Sequence, residues 1–521
     1  MDTNRVIGTK YKTFNYRINY KRKLNNIYDI QFNLLNTEVS AKFISTNQIL
    51  ISSRFRVCIK LNNQKRKKYE MITTEFEEII SIDNLNINNI RNKDIKIDFN
   101  EDPILDTSSS YGNYLNVKGE FCCYIYDTGD YYSEQSASYD FVCIASTRWD
   151  YIWQRPQQLM KIISENNRVL FFNHSFPVAY KDIKEKLDDP TLWKKRLTKI
   201  NEKLWVFSTI HLSPTETEYL PSDISYKEFN YKIKNQALHY LLDKLDFVEP
   251  IILTNLGESI KYIGDIPDSI ICYDCIDDFS SFTWSEEETI ILEEELCERS
   301  DIIFTTAENL YHKMKQVNDK TYILPNAVDY YHFSQATKND RVMEELSGLS
   351  EPIIGFVGAF YEWIDEELLN FLADENQDWS FVFIGPVQSG EGEEIVERKN
   401  VTFLGIKDYD ILPDYISQFN VCLIPFKINS ITLSANPIKM WEYLATGKPI
   451  VSTPIPEVAR YEDVIYIGKD KIDFLAKIEE ALEEDSKLIS IKRMRIAKKN
   501  DWSIRVKKLL NIVTNYKEGG E

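Results

Sequence analysis

The stretch Ser434-Ala-Asn-Pro-Ile-Lys-Met-Trp-Glu-Tyr-Leu-Ala-Thr-Gly447, running directly into KPIVST (448–453), decides how the second half of the chain is read. Asn436 is a favoured helix N-cap, Pro437 suits the first helical position because an N–H there has no intrahelical partner, and Gly447 supplies a left-handed stop. Ile438, Trp441, Leu444 and Ala445 recur at helical spacing and predict a buried stripe. The start of such a helix, placed after a strand, presents unpaired N–H groups and roughly half a positive charge, which makes an anion site with phosphate as its usual occupant. Lys439, one turn in, adds a point charge. Glu442 lies beside the apolar stripe and needs a partner: two adjacent ribose hydroxyls suit its oxygens, and so does a surface ion pair with Lys439.

Around this helix the chain alternates strands and helices. Buried-strand runs PIIGFVGAF (352–360), WSFVFIGPV (379–387), NVTFLGI (400–406), FNVCLIPF (419–426), KPIVST and VIYIG (464–468) are separated by helical patterns. An earlier series, FVCIAS (141–146), RVLFFN (168–173), LWVFST (204–209), PIILTN (250–255), SIICYD (269–274) and DIIFTT (301–306), has the same character. The expectation is an α/β architecture: two Rossmann-like domains, 137–333 and 334–521, joined near LPNAVDYYHF (324–333), with ligands in the cleft beyond the strands' C-terminal ends. Residues 1–136 read differently, with strand-like alternation through a TNQ turn and few helical periods, and predict a separate β-rich domain.

A net charge of -19 argues against a nucleic-acid partner, which would need a basic surface. The charge is uneven: residues 1–23 carry seven Lys or Arg against one Asp, whereas 286–298 and 362–397 are acidic. No run of roughly 18 apolar residues or signal-peptide core is evident, so a soluble cytoplasmic chain with free thiols is expected. Cys272 and Cys275 form a CxxC without the second pair that zinc would need, and with only five His no metal cluster is expected.

On the first-domain side, STRWDYIWQRPQQLM (146–160) clusters Arg148, Trp149, Trp153, Gln154 and Arg155 after a strand, a mixture of aromatic faces and planar polar groups that suits a saccharide. The alternative is that the tryptophans are core and the arginines solvated. In YDCIDDFSSF (273–282), Asp274, Asp277 and Asp278 follow a strand's C-terminal end, and crowded carboxylates raise one another's pKa. Asp277 is the candidate general base of an inverting transfer; in a retaining enzyme these acids would bind acceptor, and helix capping is the structural alternative.

From Phe141 to its end the chain resembles the GT-B glycosyltransferases, especially family 4 and its relatives in bacterial surface-polysaccharide synthesis, through LPNAVDYYHF, IIGFVGAF, NPIKMWEYLATGKPIVST and the two first-domain motifs. The resemblance implies transfer of a sugar from a nucleotide diphosphate sugar, most simply a UDP-sugar, with no metal or other cofactor. It places the diphosphate on helix amides at Pro437 and Ile438, the ribose on Glu442, the phosphates against Gly358, and the base at the backbone of Gly405 and Ile406. It brings Arg148, Trp149, Trp153, Arg155, Asp274 and Asp278 to the acceptor. Two departures stand out: the family's second glutamate, eight residues before Glu442, is Ser434, and the basic pair after the glycine loop is replaced by acids in GAFYEWIDEE. TEVSAKFISTNQILISSRFRVCIKL and YEMITTEFEEII are similar to the SPOCS domain of spore-coat assembly proteins, which implies docking to a spore-coat protein on the mother-cell side of the forming spore surface. A non-catalytic coat scaffold is the alternative for the whole chain, and a nucleotide-sugar epimerase a third reading.

Overall fold

The computed structural model describes the backbone of residues 5–19, 29–45, 48–63, 66–81, 93–106 and 114–127, and residues 138–519 apart from 184–189, 283–284, 338–340, 393 and 485–486. The chain divides into two compact units, Met1–Ala137 and Ser138–Glu521.

The first unit is antiparallel β throughout its described residues. Strands β1 (Arg5–Asn19), β2 (Asp29–Ser45), β3 (Gln48–Asn63), β4 (Arg66–Ser81), β5 (Lys93–Asp106) and β6 (Tyr114–Asp127) form two three-stranded sheets, ordered β1-β6-β5 and β2-β3-β4. Ser45 pairs with Gln48 and Asn63 with Arg66, so β2, β3 and β4 are a meander of tight hairpins.

The second unit holds two parallel sheets. The first contains β7 (Asp140–Ile144), β8 (Arg168–Val178), β9 (Leu197–Lys199), β10 (Leu204–Leu212), β11 (Ile251–Thr254), β12 (Ile270–Cys275), β13 (Ile302–Thr305) and β14 (Thr321–Ile323), in the order β14-β13-β12-β11-β7-β8-β10-β9. Only β9 runs against its neighbour. The second contains β15 (Ile353–Val357), β16 (Ser380–Ile384), β17 (Val401–Phe403), β18 (Val421–Ile424), β19 (Ile450–Ser452) and β20 (Tyr466–Ile467), ordered β17-β16-β15-β18-β19-β20 and wholly parallel. Helices cover both faces, which is why the central strands are continuous apolar runs with every residue buried. Each strand expected from the sequence is present; β9 and β14, three-residue edge strands, are additions too short to stand out.

The period-two alternation of the strands builds a core on each face of the first sheet. Val142 and Ile144 pack with helix Tyr226–Lys244 on one face, whereas Phe141 and Cys143 pack on the other with helix Arg155–Ile163. Residues well beyond 334 also reach the first sheet. Helix Trp502–Lys517 buries Trp502, Val506, Leu509 and Val513 in this second core of the first sheet, beside Phe141 and Leu204. The chain therefore crosses between sheets twice, and the crossings are tied: Val328 N–H donates to Asn500 O at 3.2 Å and Trp502 N–H to Val328 O at 3.0 Å. Among the described residues no helix is long and apolar enough to cross a membrane.

Candidate functional site: a cleft between the two parallel sheets

Helix Ile438–Thr446 begins one residue later than its sequence suggests. Pro437, with ψ at 123°, is the N-cap, and Asn436 does not cap. Its Oδ1 instead accepts the indole N–H of Trp441 at 3.0 Å, because a buried indole donor left without a partner would cost more than a solvent-reachable amide. Pro437 has no N–H, so the donors at this helix start are the amides of Ile438 and Lys439 rather than those of Pro437 and Ile438. Gly447 ends the helix at φ 73°, as expected.

This helix start opens into a cavity of about 320 Å³ lined from both sheets: Tyr151 to Pro156, Ile276, Asp277 and Phe282 on one wall, and Phe356 to Ala359, Ile384 to Pro386, Ile406, Lys407 and Ala435 to Lys439 on the other. Gly358 lines it, as does Ile406. Gly405, at φ 65°, is not among the lining residues; its carbonyl accepts the Gly385 N–H at 2.9 Å and so supports the wall from behind. The demanding glycine is Gly385, which the sequence reading passed over. At φ 143°, a Cβ there would lie 1.9 Å from Gly358 O, so the two loops meet backbone to backbone.

Glu442 is 2% exposed and does not line the cleft. Its Oε2 accepts the ammonium of Lys439 at 2.6 Å, and Lys439 does line it. The glutamate of the pair is thus buried and the lysine half-buried, unlike the surface bridge considered above, and the glutamate reaches the cleft only through its lysine. A second cation, Lys407, was also missed; it lines the same wall and donates to Glu345 at 2.6 Å.

The opposite wall corrects several assignments. Arg155 and Asp274 are each 2% exposed and joined by two hydrogen bonds of 2.8 Å, Nε to Oδ2 and Nη2 to Oδ1. Both oxygens of Asp274 accept from the guanidinium, and Asp274 is not among the residues that line the cleft. Arg155 also donates to Pro325 O and Asn326 Oδ1, and Asn326 donates to Asn436 O at 2.7 Å. The result is a polar chain from strand β12 to the helix start, across the sheet-to-sheet crossing. Arg148 pairs with Asp150 and lies over Phe176, away from the cleft lining. Trp149, half-buried, packs edge-on to Phe171 at 5.1 Å against the core and is not among the residues that line the cleft. Trp153 and Gln154 do line the cleft. Trp153 stacks on Tyr409 of the second-sheet half at 5.6 Å, and Tyr409 stacks on His332 at 4.5 Å.

The two remaining acids separate by environment. Burial, with Asp278 nearby, pushes the Asp277 carboxyl up to about 7. Burial alone would also raise Asp278, but hydrogen bonds from Lys313, Ser280 and Ser281 outweigh it and hold that carboxyl below its usual value. Asp277 lines the cleft and Asp278, tied to Lys313 at 2.7 Å, does not. Neither caps a helix: the short turn Phe279–Ser281 has no side-chain cap, and helix Glu287–Arg299 starts from Glu286. Cys272 and Cys275 are buried free thiols. Among the described residues no group of three or more His, Cys, Asp or Glu is placed to hold a metal ion.

Comparison with known proteins gives the same picture of the fold. Residues 351–484 match the family described as glycosyl transferases group 1. TuaH of Bacillus subtilis (strain 168), named for teichuronic acid biosynthesis as a glycosyltransferase, is 26% identical over 227 residues, which cover 41% of this chain and 57% of TuaH. The chain therefore spans 57% of the length of that curated relative. Sucrose-phosphate synthase from Thermosynechococcus elongatus superposes with a TM-score of 0.55 at 15% identity, covering 73% of this chain and 100% of that one. Anabaena HepE, solved with UDP and glucose, does so with a TM-score of 0.50 at 13% identity over 72% of this chain and 100% of its own. An E. coli trehalose-6-phosphate protein bound to UDP-2-fluoro glucose gives 0.53 at 13% identity, over 71% and 98%. The second unit has the α/β, parallel-sheet fold of the GT-B glycosyltransferases.

Proposed function

We propose that the chain is a glycosyltransferase that takes a sugar from a nucleotide diphosphate donor, most simply a UDP-sugar, and passes it to a surface or spore-coat glycan or glycoprotein. The observation that carries this reading is the cleft itself: an open helix start with free amides at Ile438 and Lys439 faces, across one cavity, a carboxylate whose pKa lies near neutrality. Oriented amides and nearby ammonium groups stabilise a departing diphosphate without a divalent ion. In this reading Ile438, Lys439 and Lys407 meet the diphosphate, the Gly358 and Gly385 loops admit it to the backbone, and Ile406 flanks the base. Glu442 acts on the ribose side through Lys439, and Asp277 takes the proton of the attacking hydroxyl in an inverting displacement.

Titration of the full chain with UDP and UDP-glucose tests this. Binding is expected, with slow donor hydrolysis and no response to EDTA. Ile438→Pro, which removes one donor at a position where proline is tolerated, is expected to weaken UDP by about tenfold, the cost of one charge-assisted hydrogen bond. Failure to bind or hydrolyse any UDP-, GDP- or dTDP-sugar would favour the second reading, a scaffold on a transferase fold. That reading draws on Ser434, buried where the family carries glutamate, and on the acids that follow Gly358. The N-terminal unit is proposed as a SPOCS-like docking module for a spore-coat protein in the mother cell; deletion of residues 1–136 with unchanged localisation would remove that part.

A further inference from the structure

A second cavity, of about 430 Å³, opens in the first-sheet half of the same unit. It lies at the C-terminal ends of three strands, lined by Ser175 and His211 in the last residues of β8 and β10 and by Asn255 just after β11. The sheet order reverses beside it, between β7 and β11. From β7 the chain builds outward through β8 and β10, then returns to lay β11 on the other side of β7. Crevices at such reversals are where open parallel sheets hold ligands. The crevice is built firmly: Asn255 Oδ1 accepts the Ser146 N–H and its Nδ2 donates to Ser146 Oγ, both at 3.0 Å, across the reversal. Gly257 lets the backbone run against helix Glu287–Arg299, since a Cβ there would sit 2.8 Å from Glu293 N.

The walls indicate the ligand's chemistry. Tyr226, Tyr231 and Phe279 supply aromatic surface, and Ser175, His211 and Thr289 bring hydroxyl and imidazole groups to the same space. Both lysines of the wall are already matched, Lys227 to Glu288 and Lys234 to Glu258, each at 2.5 Å. Glu293, 6% exposed, adds a further carboxyl held by the Tyr273 hydroxyl. An anionic ligand would meet carboxylates with no uncommitted lysine to balance it. A neutral sugar, with apolar C–H faces and hydroxyls, matches aromatic rings beside polar groups. The cavity also shares one segment with the cleft: Asp277 and Phe282 line the cleft, and Phe279, only two residues from Asp277, lines this cavity. Two residues of chain span no more than about 7 Å.

We propose that this cavity is a binding subsite for a neutral oligosaccharide, holding a sugar unit behind the one that presents its hydroxyl to Asp277. The assignment rests on the transferase reading above, and it makes the acceptor a glycan chain end rather than a monosaccharide or a bare protein side chain.

The test uses saturation-transfer NMR on the full chain with cellotetraose, chitotetraose, maltotetraose and tetragalacturonate as probes, and UDP affinity measured in parallel. At least one neutral tetramer is expected to bind and the uronate not to. Thr289→Trp, which places a bulky ring at the cavity wall, is expected to weaken that binding at least tenfold with UDP affinity unchanged, and Phe279→Ala, which removes the aromatic face, to weaken it as well. Absence of binding by every neutral tetramer, binding that survives both substitutions, or preference for tetragalacturonate would overturn the proposal. UDP binding without tetramer binding would remove the subsite alone. Tetramer binding sensitive to Thr289→Trp without UDP binding would remove the transferase reading and leave a saccharide site.

Discussion

The two walls of the cleft present polar groups in opposite ways. The second-sheet wall works with backbone: a helix start with two free amides, and two glycine loops pressed so closely that Gly385 has no room for a Cβ. Its lysines, Lys439 and Lys407, stand at the cleft with one carboxylate each behind them. The first-sheet side has many charged side chains in and around its wall, and most of them pair with one another. Arg155 with Asp274, Arg148 with Asp150, and Lys313 with Asp278 are matched pairs, and Asp277 is the acid at the cleft with no basic partner among the described residues. Charged residues that cluster in the sequence on this side are therefore mostly paired with one another, and the proposed base is the acid that is not.

That asymmetry is broken most severely at Asp277. Asp277→Asn is expected to cut transfer by about 10²–10⁴, the range for loss of a general base, and to leave UDP affinity unchanged. For the native chain, the base form is lost as pH falls through about 7, so kcat/KM should rise with pH across that value. The linked stability has the reverse sign. A carboxyl whose folded pKa is raised binds its proton more tightly when folded, so between about 4 and about 7 its contribution falls as pH rises. Urea melts at pH 8 should accordingly show Asp277→Asn to be more stable than the native chain. A flat pH profile would remove the base assignment.

Next in size is the matched pair behind it. Arg155→Met leaves Asp274 buried without its partner and severs the polar chain through Asn326 to Asn436, so a loss of about 3–5 kcal/mol is expected in denaturant melts. The conservative Arg155→Lys should recover little, because one ammonium cannot meet both oxygens of Asp274. If Arg155→Met instead folds normally and loses only acceptor affinity, Arg155 belongs to the acceptor after all.

The same comparison explains what could be read from the chain and what could not. Parallel sheets were legible because apolar runs and intervening amphipathic segments are local properties, and so was Gly447 as the stop of the 438–446 helix, whereas its start was read one residue early. Asn436 was misjudged because nothing near it in sequence announces that Trp441 would take its oxygen. Arg155 and Asp274 are 119 residues apart, and their mutual neutralisation exists only once β12 lies beside the helix at 155–163. The need for glycine at 385 comes from the carbonyl of another loop, and Lys407 joins the cleft only by the folding of the 406–407 turn against it. Gly385→Ala tests this class of contact. With φ at 143° and Gly358 O in the way, it is expected to cost about 1–3 kcal/mol of stability and to weaken UDP binding, since the loop must shift.

The smallest effects should separate the two lysines, and their order follows from their partners. Lys439 sits on the helix that supplies the amides, and its Glu442 is buried, so removing the lysine strands a carboxylate 2% exposed beside the proposed diphosphate. Lys407 pairs with Glu345, whose side chain is 43% exposed and can turn to water when its partner is lost. Lys439→Ala should therefore weaken UDP by about tenfold and cost measurable stability, whereas Lys407→Ala should weaken UDP by about threefold with little change in melting, because Glu345 can be hydrated when its partner is lost. Restoring neutrality with Lys439→Met and Glu442→Gln together should recover the stability and not the affinity, because the buried charge is gone while the cation facing the diphosphate is still missing. If the double variant instead recovers UDP binding, the lysine serves only to neutralise Glu442, and the helix amides carry the phosphate contact alone.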